Sequence, residues 1–597
     1  EISRGVAVET GGMMYRVWAP TPKKVELQVG KKKFPMTQDD HGWWTAEVGT
    51  ALRAVRTSRS DVPADYGFVL DGKGPFPDPR SPWQPKGIYG LSRLVDHGRF
   101  RWTDHGWQAP PLASAIIYEL HIGTFTPEGT FASAIERLDH LVKLGITHVE
   151  VMPVNEFSGN HNWGYDGVDL FAPHHAYGGP DGFKQFVNAC HRRGLAVILD
   201  VVYNHLGPAG NYLEKFGPYF TDRYAPTWGK ALNFDGPDSG EVRRFFCDNA
   251  LMWLRDYHVD GLRLDAVHAI FDASGTHILE ELKIEVERLA ARLGRHLVLI
   301  PESDLNDPRL LWSRERGGYQ LDAQWSDDFH HSLHTVLTGE NNGYYADYGS
   351  LEDLAKALTR VFVYDGKFSK ARRRRHGRPA GNLNGCRFLG YLQNHDQVGN
   401  RAQGDRSSHL MSLAQLKIGA AIVLTSPFVP MLFQGEEWGA STPFLFFTDH
   451  GEPKLAKCVG EGRCKEFVAF GWDPAEVPHP QDRATFRRSK LKWKEVARSP
   501  HAELLAWHKA LIRLRRREPS LLDGRLDRVE VNFDEHDKWM TIGRGDICVL
   551  CNFSNRSQYL PLSEGPWKAL LTSADTAEIF EGGAELPSEA VVILKRG

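Results

Sequence analysis

Short apolar runs and longer amphipathic ones follow each other along this chain, and the change of period divides it into three regions. In the first, MMYRVWAP, KKVELQVG and GWWTAEV alternate apolar and polar residues and are separated by Pro, Gly and Asp. Period-two segments of this length, bounded by turn residues, predict strands. DYGFVLDGKG adds a strand that runs into a turn. The expected unit is a small β-sandwich over residues 1–86, closing at the proline-rich FPDPRSPWQP, with an irregular connection over 87–115.

The pattern changes at residue 116. AIIYELHIG is a buried strand, TFASAIERLDHLVKLG an amphipathic helix ending at Gly145, and HVEVMPV the next strand. DGFKQFVNACHRRG, EVRRFFCDNALMWLRDYH and ILEELKIEVERLAARLG predict helices. LAVILDVVYNH, VDGLRLDAV and HLVLIPES predict the strands between and after them. Apolar strands that alternate with helices call for a parallel sheet covered by helices. YQLDAQW, a helix near 350–361, RFLGYLQNHD, AQLKIGAAIVLTS and FVPMLFQGEE continue the alternation to about eight units, which favours a closed barrel over an open sheet. HAELLAWHKALIRLRRREPSL is the expected last barrel helix, and the strands DRVEVNF, KWMTIGRG, DICVLCNFS, KALLTS and AVVILKR follow it. The fold expected is multidomain α/β: a (β/α)8 TIM barrel over 116–521, flanked by the N-terminal sandwich and an all-β domain over 522–597.

Composition narrows the function little. Hydrophobic residues make up 41% and charged residues 25% of the chain, which is ordinary for a soluble globular protein. The formal net charge of -3 gives no reason to expect a nucleic-acid partner. No run is apolar and long enough for a membrane span, and EISRGVAVE lacks the basic start and apolar core of a secretory signal. Seven scattered cysteines, an odd number, argue against a disulfide framework, and Cys458 and Cys464 lack a second pair for zinc. A cytoplasmic location is expected. The basic stretch KFSKARRRRHGRPAGN (367–382) is expected to be a solvated loop before the seventh strand.

Chemistry in such a barrel sits at the C-terminal ends of the strands. Those ends supply Asp200, Asn204 and His205; Arg263, Asp265 and His268; Glu302 and Asp304; and His395 and Asp396. Arg263 and Asp265 are two apart in GLRLDAV and share one side of a strand. A guanidinium there favours the ionised carboxylate and holds it in orientation, as a nucleophile at an anomeric carbon requires. Glu302 follows the apolar HLVLIP, so partial desolvation is expected to raise its pKa and suit it to proton donation. Asp396 is placed to bind sugar hydroxyls across the mouth, and Asp200 to brace the floor. Other readings of the same residues are helix capping by Asp265 and a metal site built from His205, Asp265, Glu302, His395 and Asp396. The positive charge of Arg263 opposes a cation beside Asp265.

DVVYNH, GLRLD, IPES and NHD, in this order and spacing, resemble the four strand-end signatures of the α-amylase superfamily of glycoside hydrolases. The resemblance implies Asp265 as nucleophile, Glu302 as general acid/base and Asp396 as transition-state stabiliser, with His205, Arg263 and His395 around the sugar being cleaved. A narrower resemblance, to the maltooligosyltrehalose trehalohydrolases, covers the whole chain. YELHIGTFTPEGTF, NWGYDGVDLFAPHHAYGGPDGFK, ESDLNDPRL, LDAQWSDDFHHSLHTVLTGE and LQNHDQVGNRAQGDR carry it. It adds Tyr165 as a sugar contact. Asp304, Asn306, Trp325 and Asp328, on loops after the fifth and sixth strands, become candidate trehalose contacts. Pro301 departs from the pattern, where Ala is expected before the catalytic Glu.

The activity this implies is retaining hydrolysis of the α-1,4 bond between a maltooligosyl chain and a terminal trehalose. The substrate is neutral, so the chemistry requires no metal or organic cofactor, and a maltooligosyltrehalose-forming synthase is the expected functional partner. Two alternatives stay open. A glucan branching enzyme shares barrel, triad and sandwich and differs in using a glucan hydroxyl as acceptor. A non-catalytic glucan-binding protein is disfavoured by the intact acid pair.

Overall fold

A computed structural model describes residues 7–9, 12–49, 65–469 and 477–597. The first six residues of EISRGVAVE and the 50–64 part of the expected sandwich lie outside the described residues. The side chain of Cys464 is likewise outside them.

Eight parallel strands form the centre. In chain order they are Ile117–Leu120, His148–Val151, Ala196–Val201, Gly261–Leu264, Val298–Pro301, Gln324–Trp325, Phe388–Gly390 and Val429–Phe433. They are numbered one to eight here. Each pairs with the next in sequence as far as the fifth, six pairs with seven and seven with eight, and strand eight returns to pair with strand one. At the seam between strands five and six, Asp322 does the joining. Its N–H donates to the Leu299 carbonyl at 2.9 Å, and its carboxylate accepts from the Leu299 N–H at 2.7 Å. The expected barrel is therefore present, nearly closed. Its strands are short and apolar because helices cover the outside and side chains fill the inside. Ile117, Ile198, Ile300, Trp325, Leu389 and Met431 pack together in the interior.

The helices follow their sequence signals. Gly294, at φ +64°, ends Ile278–Leu293, and a Ser412/Gln415 capping box opens Leu413–Thr425. That last helix is apolar on nearly all faces because it is covered on two sides, by the helix His501–Arg517 and by the C-terminal strand Ala590–Arg596. One expectation needs correction. The helix expected over 130–145 is two helices, Phe131–Ile135 and Leu138–Leu144. The first packs on Gly179–His191 and the second on His501–Arg517, so the chain bends between two partners.

The flanking regions are antiparallel. Two four-stranded sheets precede the barrel. They dock through Trp18 against Tyr219 and Phe68 against Phe216, both edge-on. A five-stranded and a three-stranded sheet follow it. Among the described residues no helix is long and apolar enough to cross a membrane.

Candidate active site

The barrel mouth opens into a cleft of about 560 Å³, lined by residues from the ends of strands three, four, five and seven and by the loops above them. Arg263, near the end of strand four, is its hub. It is wholly buried. Its Nη1 donates to Asp200 Oδ1 and Oδ2 at 2.9 and 2.8 Å and to Asp265 Oδ1 at 2.9 Å. Its Nη2 lies 2.6 Å from Glu302 Oε2. Its Cζ lies over the Trp325 ring, 4.3 Å from the centroid. One guanidinium thus serves three carboxylates from three adjacent strands, which only a planar, forked cation can do.

Asp265 is held as an oriented carboxylate, with Oδ1 on Arg263. Its second oxygen accepts from Asn204 Nδ2 at 2.7 Å. The capping alternative fails, because Asp265 caps no helix; the residue at the start of the following turn is Ala266. Ala266 has φ +38°, a left-handed conformation that a side chain disfavours. That turn aims its N–H at Glu302 Oε2, 2.9 Å away. Glu302 is pushed up to about 8 by burial, against the pull of Arg263 and with repulsion from Asp265 and Asp396. Pro301 pairs in register with Leu264, and the Glu302 N–H donates to the Leu264 carbonyl at 2.9 Å, so the backbone stays on the sheet.

Asp396 stands in the first turn of the short helix His395–Gly399, capped by Asn394, with two-fifths of its side chain exposed to the cleft. Tyr165 stacks on His395 at 5.2 Å between centroids. Its hydroxyl contacts Asp200 Oδ2 at 2.6 Å and His395 Nε2 at 2.7 Å. Gly164 before it has φ +106°, and a Cβ there would lie 2.3 Å from the Pro153 carbonyl oxygen, so glycine is what turns Tyr165 into the mouth. His205 lines the cleft with Nε2 3.0 Å from the Tyr165 carbonyl oxygen.

Of the four loop residues expected to meet trehalose, three line the cleft and Trp325 does not. Trp325 is 1% exposed inside strand six and packs against Arg263, because the apolar alternation of AQW continues the barrel. Asp328 is buried and committed: it accepts from Tyr348 Oη at 2.6 Å, Asn306 Nδ2 at 2.9 Å, Val363 N at 2.7 Å and Tyr364 N at 3.0 Å. Asn306 is held by the same aspartate and by the Tyr364 carbonyl. Both edge the cleft, with the Asp328 carboxylate and the Asn306 amide nitrogen bonded within the protein. Asp304 alone remains presented, with nearly half its side chain exposed.

Several groups were not anticipated. Arg372, from the basic stretch, turns into the cleft with Nη2 3.7 Å from Asp304 Oδ2, while Arg373, Arg374 and Arg375 stay exposed as expected of a solvated loop. Asp327 lines the mouth, accepts from Tyr391 Oη at 2.6 Å and is pushed up to about 7 by burial. Trp228 and Tyr344 are large exposed aromatics of the lining. Below the mouth, Glu119 on strand one and Glu150 on strand two are 1% exposed. A lone charge within an apolar strand was the signal that led to Arg263, and IYEL and HVEV carry the same signal for these two. The one group among the described residues with metal-ligand spacing, Glu156, His174 and His175, lies outside this site and is joined by an His175–Glu156 hydrogen bond of 2.6 Å.

A parallel barrel whose strand ends gather an arginine-bridged acid pair, an Asn-His-Asp turn and an open cleft belongs to the α-amylase class of glycosidase barrels. The α-amylase catalytic-domain family matches residues 97–227, and a domain family of unknown function matches 524–593. The chain is 54% identical to the malto-oligosyltrehalose trehalohydrolase of Arthrobacter ramosus, covering 90% of this chain and 92% of that one. It is 48% identical to the enzyme of the same name from Rhizobium sp., covering 98% of both. A solved Salmonella typhimurium protein of alpha-amylase type superposes with a TM-score of 0.89 at 36% identity over the full length of both chains. The 1,4-alpha-glucan branching enzyme of Pseudoalteromonas atlantica is 32% identical over 45% of this chain and 39% of its own. The chain belongs to the malto-oligosyltrehalose trehalohydrolase family.

Proposed function

We propose that the enzyme hydrolyses the α-1,4 bond joining a maltooligosyl chain to its terminal trehalose and releases trehalose with retention at the anomeric carbon. The observation that carries this reading is the Arg263 bridge between Asp265 and Glu302 at the floor of the cleft. One cation holds two carboxylates close together and in unlike environments, which is the arrangement of a nucleophile and a proton donor.

Glu302, neutral at physiological pH, donates its proton to the glycosidic oxygen as that bond breaks. Asp265 Oδ attacks the anomeric carbon and forms a glycosyl ester, and trehalose leaves. Glu302, now ionised, takes a proton from water; the hydroxide opens the ester and frees the maltooligosaccharide. Asp396, on the far side of the mouth, faces the positive charge that develops on the ring. Tyr165 and His395 form the platform beneath it, and His205 lies at its edge. Asp304, Arg372 and Tyr344 are the groups left to meet the trehalose side. The substrate implies a synthase that isomerises the reducing end of a glucan, and a shared cytoplasmic location.

Water as acceptor is favoured over a glucan hydroxyl by the near full-length likeness to trehalohydrolases against the partial likeness to a branching enzyme. Incubation with maltotriosyltrehalose should give trehalose and maltotriose in equal amounts. Amylose that gains α-1,6 branches with no trehalose released would establish the branching reaction instead.

A further inference from the structure

Beneath the catalytic pair a second polar chain crosses the barrel floor from strand one to strand four. Glu119 Oε1 contacts His395 Nδ1, and Glu119 Oε2 accepts the His395 backbone N–H at 3.0 Å. His395 Nε2 lies 2.7 Å from Tyr165 Oη, which lies 2.6 Å from Asp200 Oδ2. Asp200 holds Arg263, and Arg263 holds Asp265 and Glu302. Counting protons decides the state of this chain. It has three short contacts, Glu119–His395, His395–Tyr165 and Tyr165–Asp200, and each needs one proton. Tyrosine supplies one and a neutral imidazole supplies one. The third is present when the imidazole carries two.

We propose that Glu119 is a positioning residue of the reaction: it keeps His395 as an imidazolium and thereby fixes the direction of every hydrogen bond down to Arg263. The inference rests on the active-site reading above. With both ring nitrogens protonated, His395 donates to Glu119 and to Tyr165, and Tyr165 is left to donate to Asp200. With a neutral ring, the Tyr165 hydroxyl turns to His395 Nε2, and Asp200 faces the tyrosine oxygen without a proton between them. Asp200 then draws on Arg263 alone, and the guanidinium moves away from Asp265 and Glu302.

The surroundings agree. Burial works against the imidazolium, and the Glu119 carboxylate outweighs it, raising His395 to about 9. Asp200 is raised by burial to about 6, against the pull of Arg263, so it stays ionised at neutral pH. The other titratable or charged groups facing His395 are Asp396 on its own turn, Arg263 on strand four, Glu150 on strand two and His121 after strand one. Burial, with Glu119 beside it, pushes the Glu150 carboxyl far up, and neither of its oxygens has a hydrogen-bond partner among the described residues. Burial likewise pushes His121 down to about 3, so both stay neutral, and Glu119 is the anion with the largest pull on His395, ahead of Asp396.

The test uses the full-length enzyme. Glu119→Gln should lower kcat on the order of 10- to 100-fold with KM within about threefold, and should bring in a new loss of activity as pH rises through about 6.5 or below, since burial without Glu119 disfavours the imidazolium. Glu119→Asp should restore part of both. A lowered kcat with an unchanged pH profile would reduce Glu119 to a packing role and overturn the proposal. Nitrogen-15 NMR of His395 in the substrate-free wild type, assigned by the signal lost in His395→Asn, reads the ring directly and needs no folded Glu119 variant. The imidazolium should persist to pH 8. A neutral ring at pH 7 overturns the proposal whatever the enzyme hydrolyses. A persistent imidazolium in an enzyme that releases no trehalose would overturn the substrate reading and leave the relay standing.

Discussion

Asp265 and Asp328 are both largely buried aspartates at the same barrel mouth, and they are opposites in what they leave unused. On the floor, Asp200, Asp265 and Glu302 share one guanidinium, and Asp265 and Glu302 still face the cleft. On the rim, Asp328 accepts four hydrogen bonds from within the protein, three of them on one oxygen. Burial therefore does not separate the two aspartates; the number of donors each has accepted does, two side-chain donors on Asp265 against four donors on Asp328. The floor shares one cation among three acids, and the rim uses an aspartate to tie Val363 and Tyr364 to the helix Asp327–Thr338.

Four substitutions sharpen that contrast. The largest effect belongs to Glu302→Gln, which should cost on the order of 10⁴-fold in trehalose release while calorimetry still detects substrate binding. The same variant carries a pH signature. Glu302 is raised from 4.5 to about 8 on folding, so its neutral form is favoured in the native state. Its contribution to stability is whole below 4.5 and is lost as pH rises through about 8. The Tm of Glu302→Gln should match the wild type at pH 4.5 and exceed it at pH 8.5.

Next, Arg263→Lys should lower kcat on the order of 10²-fold and depress Tm, because a point charge cannot hold three carboxylates in fixed directions. Retention of full activity by the lysine enzyme would break the idea of a geometric hub. Third, Asp328→Asn should destabilise by about 2–3 kcal/mol in urea unfolding and leave KM near wild type at a temperature where the variant is folded. Last and smallest, Asp304→Ala should leave Tm unchanged and raise KM for maltotriosyltrehalose several-fold. If Asp328→Asn raised KM and Asp304→Ala did not, the roles assigned to the two rim residues would be reversed.

Much of the barrel was legible because its signals are local. The apolar runs AVILDV and VLIP, the glycines that stop helices and the 3.6-residue periods depend on neighbours a few places away. The acid pair was legible for a related reason: a charge in a strand end that otherwise wants burial has to be paired or used. The same reasoning reaches Glu119 and Glu150. It could not reach Asp327 over Asp328, because adjacent residues at a helix start point to different sides, and which side faces the cleft is set by the helix's packing. Nor could it place Arg372, one of four consecutive arginines, of which a two-strand turn directs only one inward.

The sequence by itself thus determined the order of strands and helices, the barrel they close into, and the identity of the carboxylates and arginine at four strand ends. Those follow from periodicity and from the cost of burying charge, and both are written residue by residue. Tertiary structure alone decided that one guanidinium serves three acids, that it lies over the Trp325 ring, and that Asp328 is tied to Asn306, Tyr348, Val363 and Tyr364. Whether a polar group is free to act depends on the donors that reach it, and here these arrive from positions as far apart in sequence as Asn306, Tyr348 and Val363.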